Sequence, residues 1–342
     1  MDRVVLIAEG PTGATALESL FECFDVCAVF RKPTMLCDPV ATLASEHRIP
    51  LIGETSLASV EPTLRRLRPA CIVISSYNRL IRPEVLELCP FINVHYGPLP
   101  RYRGRANVNW AILNHESEAA ITIHAIDSGL DSGSILFQRF IPIGPNSTVT
   151  ELYEQLNSIQ RQELARSVAK YLAGRPGVPQ HGSATYCCTR VPDDGEIDWT
   201  APTRDVYAMI RALEPPYPGA YTFFRLQRII ITKAAPVANA PEYVGRVPGR
   251  VCSVSLDSGA VDVLTGDGVL RIYEIQDSEG VRARAARLLS STKDTLGLAS
   301  RDLLQRIQQL ESVVASLVQD SPAKNGRTNN CIELTEHGRR IT

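Results

Sequence analysis

Apolar residues in the first 180 positions fall into short runs separated by amphipathic stretches. Continuous apolar runs, which are typical of strands covered on both faces, occur at 3–8, 26–30, 70–76 and 91–96. The stretches between them have helical spacing, and a long amphipathic helix follows at 150–172. Strands that alternate with helices predict an α/β domain with a mostly parallel sheet.

Two later segments, 119–127 and 134–143, alternate apolar and polar residues with a period of two. This pattern is typical of half-buried strands. We expect the two strands to pair as a hairpin-like extension of the sheet.

The pattern changes after residue 180, where short strands are separated by glycine- and proline-rich turns. Gly266-Asp267-Gly268 is a tight-turn signal within this region. Short strands with frequent turns predict a small β-barrel domain. The predicted boundaries are 1–180 for the α/β domain and 181–280 for the β domain.

The chain beyond these domains is predicted to form a helical extension, 281–320, and then a polar, disordered tail, 321–342. Residues at heptad a/d spacing run along the extension; they are Leu296, Ser300, Leu303, Ile307, Leu310, Val314 and Leu317. Two interpretations stay open, because such a helix either packs on its own chain or forms the seam of a homodimer.

Composition narrows the class of protein. The chain has 342 residues, enough for two domains, and a net charge of −1, which gives no strong field toward nucleic acid or anionic membranes. No apolar run is long enough to span a bilayer and the start is not a signal peptide, so we expect a cytoplasmic protein. The nine cysteines lack paired C-x-x-C spacing, which favours reduced thiols without structural zinc.

Candidate chemistry lies at the end of the strand at 91–96. Asn93 and His95 are two residues apart, so both side chains point to one face, at the sheet edge where ligands bind. Asp131 follows the next strand in the loop IDSGLDSG. An amide, an imidazole and a carboxylate suit acyl transfer to an amine. Buried hydrogen-bonding residues show the same spacing, so that alternative stays open.

These residues belong to a longer motif that begins at Asn93 and reads NVHYGPLPRYRGRANVNWAILNHESEAAITIHAIDSGLDSGSIL. It resembles the signature of the 10-formyltetrahydrofolate-dependent formyltransferases, with an N-x-H pair, an S-L-L-P-x-[YW]-R-G loop and a D-x-G-L-D-[TS]-G loop. The likeness extends more loosely over 1–280, including VPDDGEIDW and RALEPPYPGA. It implies a Rossmann-like formyltransferase domain followed by an OB-like β-barrel domain.

The resemblance also implies a reaction. A formyl group moves from 10-formyltetrahydrofolate to a primary amine by direct attack through a tetrahedral intermediate, without a metal. Asn93 is then the oxyanion stabiliser, His95 the group that transfers protons, and Asp131 the group that tunes His95 and relays protons. Which of His95 and Asp131 takes the amine proton stays open.

Folate contacts are implied for two loops and one arginine. Arg79, Leu80 and Ile81 match the segment that holds the pterin, and Arg105 matches an arginine near the polar end of the cofactor. The second loop contributes four residues beside Asp131, which are Asp127, Ser128, Gly129 and Leu130. The chain departs from the family at Gly97-Pro98 and at Asn78-Arg79, which changes the cofactor mouth or the acceptor pocket.

The acceptor implied by the motifs is a small amine, either an amino-sugar nucleotide or a natural-product amine. RALEPPYPGA resembles the RAxxxPYPGA of nucleotide-sugar N-formyltransferases, so Tyr102, Arg211 and Tyr217 are the expected acceptor contacts. The alternative for the last two is structural, with a rigid proline turn and Arg211 capping a helix.

Binding of tRNA is not expected. Methionyl-tRNA formyltransferases carry a basic insertion after the second strand, where this chain has FRKPTMLCDPV with only Arg31 and Lys32, and phosphate contacts need several cations. Methionyl-tRNA formylation, formyl-folate hydrolysis and hydroxyornithine formylation share the chemistry and remain alternatives.

Three other functions are disfavoured. GPTG at 10–13 lacks the full G-x-G-x-x-G, and no acidic residue ends the strand at Phe30, which argues against a nicotinamide oxidoreductase. A non-catalytic folate-binding scaffold is disfavoured because all three polar residues are retained. His95, His115 and His124 lack the spacing of metal ligands.

Overall fold

The computed structural model describes residues 1–31, 38–53, 57–77, 81 and 83–319, with backbone alone at 57–60 and 318–319. The chain divides into two compact units, Met1–Gly297 and Leu298–Thr342. The tail that the sequence predicts to be disordered, 321–342, lies outside the described residues.

The first unit begins with alternating strands and helices. In chain order they are β1 (Arg3–Ala8), α1 (Gly10–Phe21), β2 (Asp25–Arg31), α2 (Pro39–Glu46), β3 (Leu51–Gly53), α3 (Leu57–Leu67), β4 (Cys71–Ser75), α4 (Pro83–Leu86), β5 (Phe91–His95), β6 (Arg103–Gly104), α5 (Asn107–Leu113), β7 (Glu118–Ala125), β8 (Ile135–Pro142) and α6 (Val149–Leu172).

One sheet dominates this part of the chain. Its described strands lie in the order β3-β2-β1-β4-β5-β7-β8. The first five are parallel, whereas β7 runs antiparallel to β5 and pairs with β8 as an antiparallel hairpin. The predicted α/β domain with a mostly parallel sheet is confirmed, and so is the hairpin-like extension.

Layers of helices bury both faces of this sheet. Alternate residues of β1 enter different cores, with Leu6 facing α1 and α6 and Ile7 facing Leu64 of α3 and Val85 of α4. These side chains are 0–2% exposed, and full burial of each contributes about 1.5–3 kcal/mol. The continuous apolar pattern of the strands therefore fixes the sheet and leaves polar residues to its carboxyl edge.

The long helix α6 begins with a capping box. The Thr148 hydroxyl accepts a hydrogen bond from the Glu151 N–H at 3.3 Å, and the Glu151 carboxylate accepts one from the Thr148 N–H at 3.0 Å. These bonds satisfy N–H groups at the start of the helix. The predicted helix at 150–172 is confirmed.

The second half of the first unit is mostly β-structure. Its elements are β9 (Tyr186–Cys187), a 3-10 turn (Pro192–Gly195), α7 (Thr203–Ala212), β10 (Ala220–Phe224), β11 (Gln227–Pro236), β12 (Val251–Val254), β13 (Val261–Leu264), β14 (Val269–Gln276), β15 (Arg282–Arg284) and a second 3-10 turn (Ala285–Arg287). Among the described strands, β10-β11-β14-β13-β12 form an antiparallel sheet with β15 beside β14. The predicted β domain is confirmed.

The stretch after residue 281 differs from the predicted helix. Residues 282–284 form a strand that pairs with β14. Arg282 and Arg284 are exposed and Ala283 between them is half-buried, as expected for successive residues of a strand. Leu289 and Leu296 are buried in the core of the β domain, so Leu296 does not belong to a helical seam. The domain boundaries given above otherwise remain predictions.

The second unit contains one described helix, α8 (Ser300–Gln319). Its side chains from Leu303 to Leu317 are exposed. In the described part of the chain, no helix combines the length and apolarity needed to cross a membrane.

Candidate active site

A cavity of about 1110 Å³ opens at the carboxyl ends of β4 and β5. Its floor includes Asn93 and His95, and the loop from Asp127 to Ser132 forms one wall. Residues 187 and 189–192 of the connection to the β domain, together with Tyr217, form another wall. This is the sheet edge at which ligands of parallel α/β folds bind.

The structure brings Asn93, His95 and Asp131 together. The His95 Nδ1 lies 3.6 Å from the Asp131 Oδ2, and the Asn93 Nδ2 lies 3.5 Å from the Asp131 Oδ1. Asn93 and His95 share one face of β5 because they are two residues apart. All three side chains line the cavity.

Two hydrogen bonds fix the position of Asp131. The Gly104 N–H donates to the Asp131 Oδ2 at 2.9 Å, and the Gln180 side-chain amide donates to the Asp131 carbonyl at 2.8 Å. The φ of Asp131 is +48°, a left-handed conformation that is uncommon for residues other than glycine. The surrounding structure therefore fixes the carboxylate toward β5.

Charge within this group is set by burial and by partners. Burial alone would raise the pKa of Asp131, but the neighbouring His124 and His95 and the Gly104 N–H lower it to about 2. Burial lowers the pKa of His95, against the opposing effect of Asp131. At neutral pH the site therefore holds an ionised carboxylate beside a neutral imidazole.

His124 is a site residue that sequence reasoning missed as such. It is 1% exposed, and its Nε2 lies 3.1 Å from the Asn93 Nδ2 and 3.6 Å from the Asp131 Oδ1. Its Nδ1 is 2.8 Å from the Ala125 carbonyl, so the Nδ1–H donates there and the Nε2 accepts from the Asn93 amide. Its place in the site follows from the pairing of Asn93 with His124 across β5 and β7, a register that no sequence pattern indicated.

The connection between the domains also reaches the site. β9 pairs in parallel with β6, with Gly104 opposite Cys187. A Cβ at Gly104 would lie 2.6 Å from the Cys187 carbonyl, and its φ is +97°, so only glycine fits there. This pairing positions the Gly104 N–H for its hydrogen bond to the Asp131 carboxylate. No sequence pattern indicated β9.

The predicted folate contacts are partly described. Arg79 and Leu80 lie outside the described residues. Ile81, Arg105 and the whole segment Asp127–Leu130 line the cavity. Within that segment, the Asp127 carboxylate accepts from the Gly129 N–H at 3.0 Å and the Ser132 hydroxyl at 2.6 Å, which shapes the loop.

The predicted acceptor contacts separate into two groups. Tyr217 lines the cavity, and its hydroxyl is 2.8 Å from that of Tyr153. The Arg211 guanidinium instead donates to the Ser147 carbonyl at 2.6 Å, and the Tyr102 hydroxyl donates to Glu116 at 2.8 Å. Neither Arg211 nor Tyr102 lines the cavity, which favours the structural interpretation of Arg211.

Two of the histidines considered as metal ligands are hydrogen-bonded to other side chains: His124 contacts Asn93 in the site, and His115 contacts Asp205. His115 lies 2.6 Å from Asp205 of α7, remote from His95. Within the described ranges, no group of three or more His, Cys, Asp or Glu side chains is arranged to hold a metal ion. That the reaction needs no metal remains a prediction.

Family models match both halves of the chain. The model described as Formyl transferase matches residues 33–168, and the model described as Formyl transferase, C-terminal domain, matches residues 191–293. The chain belongs to the formyltransferase family. The formyltransferase fold predicted from the motif at Asn93 is therefore confirmed, as is membership of a family of one-carbon transferases.

A curated relative spans nearly the same length. The methionyl-tRNA formyltransferase of Caldanaerobacter subterraneus subsp. tengcongensis is 32% identical over 301 residues, covering 83% of this chain and 95% of the relative. Three further relatives, 31–32% identical, carry the same name.

Solved structures agree on the fold. The N-formyltransferase from Helicobacter canadensis, solved with folinic acid and dTDP-3-aminofucose, has a TM-score of 0.61 at 19% identity, covering 80% of this formyltransferase and 98% of that chain. HypX from Aquifex aeolicus has a TM-score of 0.58 at 19% identity, covering 85% of this chain and 49% of HypX. The chain therefore spans about half the length of HypX. At these identities the likeness concerns the fold alone.

The relatives contradict one prediction. The prediction that tRNA is not a partner is wrong. The curated relatives that match over most of the chain are named methionyl-tRNA formyltransferases. The error lay in using net charge and the single segment that contains Arg31. Phosphate contacts depend on where cations cluster on the surface, which a net charge near zero does not reveal.

Proposed function

We propose that this formyltransferase moves a formyl group from 10-formyltetrahydrofolate to the amino group of methionyl-tRNA. The observation that carries the proposal is the cluster of Asn93, His95 and Asp131 in an open cavity, within a chain that matches methionyl-tRNA formyltransferases over most of its length. A cytoplasmic location accompanies this proposal as a prediction.

The cavity suits the formyl donor. Its volume of about 1110 Å³ is at the upper end of small-molecule sites, so it accommodates a folate and the end of an acceptor together. Ile81 and the Asp127–Leu130 segment offer an apolar side chain and backbone groups for a pterin. Arg105 is exposed at the cavity, where a cation pairs with the acidic end of a folate.

The side chains on the floor divide the chemistry among them. The amine attacks the carbonyl carbon of the formyl donor and a C–N bond forms; the bond to the donor nitrogen breaks when the tetrahedral intermediate collapses. Asn93 donates an N–H to the oxygen on which negative charge grows. His95 and Asp131 carry the proton that the amine loses and the departing nitrogen gains.

The β domain offers cations for an RNA backbone. Exposed basic side chains occur there at Arg225, Arg228, Arg282, Arg284, Arg287 and Lys293. β11 and β15 pair with opposite edges of β14, so Arg228 on β11 and the arginines on β15 lie two strands apart in one sheet. Exposed arginines on one sheet support phosphate contacts that net charge conceals.

The acceptor is tested by comparing methionyl-tRNA with dTDP-linked amino sugars as substrates, with 10-formyltetrahydrofolate as donor. We expect kcat/KM for methionyl-tRNA to exceed that for the sugars by at least about 10²-fold, because tRNA supplies many backbone phosphates and a dTDP-sugar supplies only a diphosphate. Its KM should rise as salt rises. Preferential formylation of an amino sugar would contradict the proposal.

Matched charge reversals locate the RNA contacts. Arg282→Glu is expected to raise KM for methionyl-tRNA and to flatten its salt dependence, because one phosphate contact is lost. Arg65→Glu is the control, since Arg65 lies on α3 and pairs with Glu61 at 2.7 Å. Equal effects of the two reversals would count against tRNA contacts on β15.

A further inference from the structure

The described helix of the second unit, α8, presents an apolar face of exposed side chains. Ile307 and Val314 are spaced seven residues apart, and Leu303, Leu310 and Leu317 form a second row at the same spacing. All five side chains are exposed, from 42% for Leu303 to 65% for Leu317. Apolar rows with a seven-residue repeat are typical of helices that pair with a partner helix.

The residue types select a particular partner. Ile307 and Val314 are β-branched and occupy the a positions, whereas the d positions are leucines. In coiled coils, β-branched residues at a with leucine at d favour two parallel strands. Two identical helices in register satisfy this pattern, so the chemistry matches a second copy of this chain.

Charge beside the apolar rows supports the same arrangement. In this register Arg306 falls at position g and Glu311 at the following e position, five residues further on. A parallel, in-register pair places Arg306 of one helix beside Glu311 of its partner, twice by symmetry. This one charged pair is therefore self-complementary, and Leu304 at e and Val313 at g widen the exposed apolar face beside it.

We propose that α8 forms a parallel two-stranded coiled coil with the α8 of a second copy, which makes this formyltransferase a homodimer. The seam from Leu303 to Leu317 covers about two heptads. A seam of this length gives a weak, concentration-dependent dimer. The inference is independent of the acceptor and of the active site.

Light scattering and sedimentation of the full chain over a concentration series test the dimer. We expect a monomer–dimer equilibrium for the wild-type chain. Leu310→Glu places unpaired charges in the seam and should leave the monomer at every concentration. Gln305→Glu adds the same charge at an outward position and should keep the dimer. A wild-type chain that stays monomeric, or forms a trimer, overturns the proposal.

Charge exchange tests the parallel direction. Arg306→Glu and Glu311→Arg should each weaken the dimer, by about threefold to tenfold, because like charges then face each other. The double exchange should restore the wild-type dissociation constant. A double variant as weak as the sum of the two single variants overturns the parallel arrangement.

A second and independent observation concerns Asn107, the first residue of α5, whose side chain is buried against His95. The Asn107 Nδ2 lies 2.6 Å from the His95 Nε2 and 2.6 Å from the Tyr102 carbonyl oxygen. The His95 Nε2 itself lies 2.8 Å from the same Tyr102 carbonyl oxygen, so the amide, the ring nitrogen and the carbonyl form one buried contact. The His95 Nδ1 faces Asp131.

Gly97 makes room for this contact. A Cβ at Gly97 would lie 2.7 Å from the His95 Nε2 and 2.8 Å from the Asn107 Nδ2. Both distances are shorter than side chains tolerate. The glycine that replaces the serine of the usual family loop is therefore coupled to Asn107.

We propose that Asn107 is a positioning residue, which holds the His95 ring beside the Tyr102 carbonyl with its Nδ1 toward Asp131. The proposal rests on the role of His95 in the proposed function. Burial lowers the pKa of His95, whereas Asp131 and the Tyr102 carbonyl oppose that shift. Among the described residues, the titratable groups that face His95 are Asp131 and His124.

A charge placed at position 107 should change protonation of His95 with a defined sign. Asn107→Asp places a carboxylate at the His95 Nε2, so it should raise the pKa of His95. The acid limb of the pH–kcat profile then moves to higher pH. NMR titration of the His95 ring measures the shift without relying on activity.

Asn114→Asp is the matched control, because Asn114 follows the other end of α5 and donates to the Tyr102 hydroxyl instead. It should leave the titration of His95 unchanged. An unshifted His95 in the folded Asn107→Asp variant overturns the positioning role. A shifted titration without a shifted pH–kcat profile supports that role and counts instead against proton transfer by His95.

Discussion

Asp131→Asn is expected to lower kcat for formyl transfer by about 10²–10⁴-fold, because the pair that moves the proton loses its charged member. The substitution keeps the shape of the side chain, and its amide oxygen still accepts the Gly104 N–H. What disappears is the negative charge 3.6 Å from both the His95 Nδ1 and the His124 Nε2. Steady-state kinetics with 10-formyltetrahydrofolate and methionyl-tRNA measure the effect.

The control for this variant is Asp25→Asn, which makes the same chemical change at the start of β2, the opposite end of the sheet from the cavity. Asp25 is half exposed and pairs with Arg3 at 3.5 Å. It should leave kcat unchanged. A folded Asp131→Asn protein with the kcat of wild type would show that the carboxylate takes no part in the reaction.

Asn93→Ala is expected to lower kcat by about 10²–10³-fold with a smaller change in KM, because its N–H acts on charge that grows during the reaction. Asn93 is oriented by His124, whose Nε2 accepts from the amide at 3.1 Å. The alanine variant leaves that histidine in place and removes the donor. Pre-steady-state rates of formyl transfer separate this loss from slow product release.

Asn146→Ala serves as the control for that variant, since Asn146 is an exposed loop residue that accepts a hydrogen bond from Tyr207. Its kinetic constants should match those of wild type. If Asn93→Ala instead raised KM alone, the amide would contribute to ground-state binding and oxyanion stabilisation would be excluded as its role.

The parts of this structure that follow from local patterns were predictable. The strand at 91–96 shows its type in a short apolar run, and the shared face of Asn93 and His95 follows from the two-residue period of any strand. The position of Asp131 came from the resemblance of its loop to a family motif. Each of these signals lies within a few residues of the chain.

Contacts that depend on pairing between distant segments were not predictable. His124 meets Asn93 because β7 runs antiparallel to β5 in one particular register. Gly104 meets Asp131 because β9, which is two residues long, fixes the preceding loop. A single sequence records neither the register nor such a short pairing.

Two errors have physical causes of their own. The heptad pattern was extended to Leu296, because this leucine happens to fall at heptad spacing. It is instead a core residue of the β domain, where it is 3% exposed. The exclusion of tRNA used net charge, a sum that does not show where the exposed arginines of the β domain lie. In both cases a feature of the linear sequence, heptad spacing or net charge, was used in place of the positions of side chains in the fold.

The central claim is that a cluster of Asn93, His95 and Asp131 passes a formyl group from a folate to the amine of methionyl-tRNA. Single-turnover transfer of labelled formyl from 10-formyltetrahydrofolate to methionyl-tRNA tests it most directly. The account predicts labelled formylmethionyl-tRNA with the wild-type chain, and rates reduced at least about 10²-fold with Asn93→Ala and Asp131→Asn. Absence of label on the tRNA with wild-type protein, or equal rates with the variants, would contradict it.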